Sequence, residues 1–115
     1  MVVVIAGNRR YALPHAREES FPMPANRFDE FKAKKLHQGF DEVLVREWAP
    51  SAENGSHSHP FDTDALIVEG DFWLTCDGQT THLLAGDTFQ LARNKPHSEK
   101  FGAKGCIFWA ARKNA

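Results

Sequence analysis

Long apolar runs are missing from this chain. The N-terminal MVVVIAG holds six apolar residues before Gly7, no basic region precedes it, and Arg9 and Arg10 follow directly, so it reads neither as a signal peptide nor as a membrane span. Nothing elsewhere approaches the roughly 18 to 20 continuous apolar residues that crossing a bilayer as a helix requires. Cysteine is also scarce. Cys76 and Cys106 form no CxxC and no density of thiols, which excludes a disulfide-stapled secreted scaffold and leaves two reduced, structural thiols as the expectation. A dominant charge is absent too: the formal net charge is -1, which gives no electrostatic reason for nucleic acid or an anionic membrane as a partner. With no targeting segment in view, the expected location is the cytoplasm.

What is present is an ordinary globular balance, 42% hydrophobic and 25% charged, in 115 residues, a length that suits one core and leaves no room for a second domain. The first 25 residues are punctuated by Pro14, Pro22 and Pro24 and kept wet by charge at 17–19, the composition of an arm. Val2–Ile5 is the exception, β-branched enough to add as a strand to its own sheet or to a partner's edge. Asn26 can cap a helix whose first turn holds Asp29 and Glu30, whose stripe is Phe28, Phe31, Lys35 and Leu36, and whose end is Gly39.

From Phe40 the period changes. Short apolar segments at 42–48, 65–68, 72–76, 80–84, 88–92, 97–101 and 106–111 are separated by turn residues at 50–55, 69–70, 77–78, 85–87, 94–96 and 102–105. That spacing predicts an all-β antiparallel sandwich or barrel. Asp77-Gly78 is the best two-residue hairpin signal, because a primed turn needs positive φ at both positions.

Chemistry concentrates in GSHSHPFDTD, residues 55–64. His57 and His59 stand two apart, so on a strand they project to one face and can hold one ion between them. The same pair is equally at home in a solvated polar loop. A metal would need a further ligand from His15, His37, His82 or His97. His97 is the strongest, since it opens a strand after the turn Asn94-Lys95-Pro96 and Glu99 shares its side. By strand position Glu99, Gln90 and Arg46 could face a bound molecule, and Phe61, beside the paired histidines, is the best aromatic candidate for a pocket. Most other aromatics are expected to fill the core, and His82 to be structural.

Two segments carry a family resemblance. HSHPFDTDALIVEG resembles the first motif of the cupin superfamily, and AGDTFQLARNKPH resembles the second, with Gly70 and Gly86 matching the turn glycines. The resemblance implies a double-stranded β-helix or jelly-roll barrel over residues 40–115. Residues 1–39 then form an arm with one short helix, packing on the barrel or on a partner. It implies His57, His59 and His97 as ligands of a divalent transition metal, Fe, Mn, Ni or Zn. Counting back from Gly70, Thr63 stands where the family's glutamate ligand is usual, and Asp62 or Asp64 could replace it if the strand bulged by one residue. Ala92 and Asn94 likewise replace a proline and a glycine of the second motif, and asparagine tolerates the left-handed conformation.

Such a scaffold hosts many reactions, so fold does not choose one. The expectation is a metal-binding barrel acting on a small organic molecule, as a dioxygenase, isomerase or lyase, with Phe61, Gln90 and Glu99 as substrate-binding candidates. The competing reading is a small-ligand sensing module without turnover. No helix-turn-helix follows the barrel before Ala115, so direct DNA binding is not expected. The apolar N-terminal strand and the resemblance both point to a homodimer.

Overall fold

Two long strands carry the architecture. The structure is a computed structural model that describes residues 2–5 and 27–114. In chain order its elements are β1 (Val2–Ile5), α1 (Arg27–His37), β2 (Glu42–Trp48), β3 (Glu53–His57), β4 (Asp62–Cys76), β5 (Gln79–Leu84), β6 (Thr88–Leu91) and β7 (His97–Lys113). Every pairing is antiparallel. β4 and β7 pair along most of their length, and each bends midway, so one pair of strands serves two layers. In one layer the order is β1-β6-β4-β7-β2, using the first half of β4 and the second half of β7. In the other, β5 lies on the second half of β4, and β3 on the first half of β7.

The bends correct two sequence expectations. Residues 69–70 and 102–105 are not chain reversals. The strand passes through them with register shifts between Ile67 and Glu69 and between Gly70 and Phe72. A bulge uses the same glycine conformation as a turn, so the sequence signal is shared. Gly70 has φ 76°, and a Cβ there would stand 2.1 Å from the Gly105 carbonyl oxygen, so the crossing of the two strands requires its bare backbone. β3 is a third correction, because residues 50–55 read as a turn. It has no alternating apolar pattern and exists as an edge strand through its pairing with β7.

Where the turn chemistry is unambiguous, the expectation holds. Asp77 and Gly78 have φ 54° and 75°, and they join β4 to β5 with Cys76 opposite Gln79, as a primed two-residue hairpin requires.

Between the layers lies the core. Phe72 stacks on Phe101 and Phe108 at 5.4 and 5.7 Å and meets Phe89 edge-on at 5.4 Å, so four rings from both layers form its centre. Ile67, Leu74 and Leu83, all essentially without exposure, fill in around them. Both cysteines are free and buried, and burial pushes the Cys106 thiol up to about 12, which keeps it protonated and inert.

On the outer surface, α1 covers Trp109 with Phe28 and Phe31 at ring distances of 5.4 and 5.6 Å. Leu36, expected on that stripe, is instead 42% exposed, and Lys35 takes the inward place by pairing with Asp64. β1 pairs with β6 of its own chain, Val2 opposite Leu91, the first of the two fates open to it. Asn26, His15 and the arm prolines lie outside the described residues. Among the described residues, no helix is long and apolar enough to cross a membrane.

Candidate metal centre

His57, at the end of β3, sits directly opposite His97, the first residue of β7. His59 lies two residues past the end of β3, and its carbonyl accepts a 2.6 Å hydrogen bond from the Asn94 backbone N–H. Asn94 adopts φ 62°, the left-handed conformation that lets the 94–96 turn reach back to His59. The segments that hold the three histidines are therefore tied together by backbone as well as by side chains.

The three rings converge. Their centroids lie 4.4 Å (57 to 97), 4.8 Å (57 to 59) and 5.3 Å (59 to 97) apart, and one ring nitrogen from each lies within 4.8 Å of the others. Two of the rings have their orientation fixed. Nδ1 of His57 is 2.6 Å from the Gly55 carbonyl oxygen, and Nδ1 of His97 is 3.0 Å from that of Lys95. A carbonyl can only accept, so both Nδ1 atoms carry the proton, and in the neutral rings the Nε2 lone pairs remain for an ion. At His59, burial lowers the pKa first, then the proximity of His57 and His97; Glu99 opposes this and Arg112 adds to it. That ring is thus held in the neutral form a metal needs.

The imidazoles open onto a cavity of about 90 Å³ whose wall includes Arg46, Asn54, Phe61, Thr63, Glu99 and Arg112. Phe61 stacks on His59, with centroids 4.9 Å apart and planes within 15°. Glu99 is buried, accepts a 3.1 Å hydrogen bond from Asn54 Nδ2, and brings Oε1 to 3.7 Å from Nε2 of His57. The donor set suits a divalent transition metal: three neutral nitrogens from one side, a carboxylate nearby, and space on the open side.

Four of the residues weighed from the sequence, Asp62, Asp64, Gln90 and His82, lie elsewhere. Asp62 faces out and pairs with Arg93, whose backbone and side-chain N–H groups hold its carboxylate below the usual range. Asp64 faces out and pairs with Lys35 at 2.7 Å. The register runs without a break from Asp62 opposite Lys113, through Thr63 opposite Arg112, to Asp64 opposite Ala111. With no bulge, strict alternation turns Thr63 to the cavity and both aspartates away from it. Gln90 is opposite Asp64 on β6, shares its outward face and is exposed. His82 stacks on Trp73 and pairs with Asp71 at 2.6 Å, remote from the centre.

The sequence reading missed Asn54 and Arg112. Asn54 was hidden in a segment read as a turn. Arg112 could have been found by extending the alternation of Phe108 and Ala110 by one more step along β7.

No family model and no curated protein matches the sequence. Among solved structures, a cupin of RmlC-like type from Shewanella frigidimarina superposes with a TM-score of 0.55 at 28% identity, over 64% of this chain and 68% of that one. A double-stranded β-helix protein from Klebsiella pneumoniae gives 0.54 at 28% identity, over 63% and 65%. The polyketide cyclase RemF from Streptomyces resistomycificus gives 0.54 at 21% identity, over 70% and 60%.

Proposed function

We propose, on the premise that this chain is a barrel of the cupin superfamily, that it is a metal-dependent enzyme acting on a small organic molecule in the cavity beside His57, His59 and His97. The observation that carries this reading is the convergence of three imidazoles, two of which engage a backbone carbonyl through Nδ1 and so keep Nε2 for an ion. A polar loop has no need to fix its tautomers in this way.

His57, His59 and His97 would hold Fe, Mn, Ni or Zn. When bound by three neutral imidazoles, the ion keeps its full charge and open positions and can polarise a carbonyl or lower the pKa of a bound water. Phe61 holds the His59 ring by stacking. Asn54 holds Glu99 beside His57, where its carboxylate can take a proton from a bound molecule. Dioxygenase, isomerase and lyase chemistry are all open to such a set.

Elemental analysis of purified protein tests the reading. One metal per chain is expected, falling close to zero in His57→Ala and His97→Ala while the far-UV circular dichroism is kept, and unchanged in Asp62→Asn and Asp64→Asn. A barrel that stays empty with each of the four metals would sink it. Tight binding of a small molecule with no turnover would instead mark a sensing module. The same reading takes the protein to be a cytoplasmic homodimer, although β1 pairs within its own chain; a sedimentation mass of one chain at micromolar concentration would contradict the dimer.

A further inference from the structure

Charge on the cavity wall is balanced unevenly. Elsewhere in the molecule three of the partly buried cations pair with carboxylates: Lys35 with Asp64, Arg93 with Asp62 and Lys95 with Asp77. Arg46 and Arg112, which line the cavity, have no carboxylate partner among the described residues. Each lies over an aromatic face instead. The Arg112 guanidinium carbon is 4.4 Å from the Phe61 ring centre, and that of Arg46 is 5.3 Å from Trp48. Stacking holds a guanidinium by its flat face and leaves the N–H groups on its edge unspent.

Position adds to this. Phe61 stacks on His59 and also carries Arg112 over its ring, so a single aromatic side chain touches both the Arg112 guanidinium and one of the three histidines. Glu99 is the one carboxylate on the described wall, and it is engaged by Asn54 and faces His57. Two arginines against one carboxylate leave the charged side chains of the wall net positive before any metal enters.

We propose that Arg112 and Arg46 bind the carboxylate of a small organic anion, so that the molecule placed at the three-histidine centre is a small carboxylic acid in its ionised form. This rests on the reading of the cavity as a metal-dependent small-molecule site. A cavity of about 90 Å³ is well below that of a drug-sized pocket and limits the ligand to a few non-hydrogen atoms. The flat guanidinium fork matches a planar carboxylate, and Glu99 on the same wall disfavours a dianion such as phosphate.

Calorimetric titration of the full chain, metal-free and zinc-loaded, with propionate, propionamide and inorganic phosphate tests this. Propionate is expected to bind about tenfold or more tightly than propionamide, and Arg112→Met and Arg46→Met each to weaken propionate by about tenfold or more. Arg112→Lys keeps the charge but loses the fork, so an intermediate loss is expected. This variant decides the matter if Arg112→Met does not fold. Lys32→Met, on the exposed side of α1, should bind as the parent does. Equal binding of the amide, tighter binding of phosphate, or parental affinity in the arginine variants would overturn the proposal. Metal content is measured separately, so a chain that takes up none of the four metals defeats the metal reading while the metal-free titration still decides this one.

Discussion

His59 sets the acid sensitivity of the site. Its pKa is lowered on folding, chiefly by burial and then by the neighbouring imidazoles, so as pH falls the unfolded chain takes the proton first. The contribution of neutral His59 is therefore fully present above the ordinary value of 6.5 and is lost as pH drops through it toward the folded value. Thermal unfolding of metal-free protein should show a Tm that declines from pH 7.5 to about 5.5, with a smaller decline in His59→Gln. An equal slope in the two proteins would assign the sensitivity elsewhere. At this scale much is legible: spacing and resemblance point to residues 57, 59 and 97, and the structure brings their rings together. Thr63 was legible only by half. Its place in the motif could be counted, but whether Asp62 or Asp64 stood in for a missing ligand depended on a bulge, and a bulge is a property of the pairing strand.

Among the elements, the bent strands β4 and β7 are where glycine matters most. Gly70 and Gly78 have nearly the same φ, 76° and 75°, but a Cβ on Gly70 would strike the Gly105 carbonyl, while one on Gly78 would meet nothing within 4 Å. Gly78→Ala should cost only the left-handed backbone term, about 1 kcal/mol. Gly70→Ala adds a backbone clash that neither strand can relieve without losing its ladder, so a loss of about 3 kcal/mol or more is expected. Urea unfolding of the two variants measures the difference, and equal losses would mean the crossing is soft. The elements were read with mixed success for a physical reason. β2 and the 77–78 hairpin depend on local pattern and turn chemistry, which the sequence carries. The continuity of β4 and β7 depends on what pairs across the glycines, and β3 exists only because β7 offers it an edge.

For the whole molecule, an ion that binds only the folded barrel stabilises it by mass action. Metal at a hundredfold excess over Kd is worth about 2.7 kcal/mol, or roughly 10 °C in Tm for a domain of this size. Scanning calorimetry with and without zinc should show that rise, and His57→Ala should abolish it. The absence of a rise with zinc, and equally with iron, manganese and nickel, would deny a specific site. Sequence by itself pointed to the all-β class and the short helix through local periodicity and turn chemistry, and to His57, His59 and His97 through a two-residue spacing together with the resemblance of two separate motifs. Tertiary structure decided what surrounds those histidines. It turned Thr63 inward and both aspartates outward, gave Asn54 and Glu99 to each other, and left Arg46 and Arg112 on aromatic faces. Those outcomes follow from the register between strands far apart in the chain, where a shift of one residue exchanges every inward side chain for an outward one.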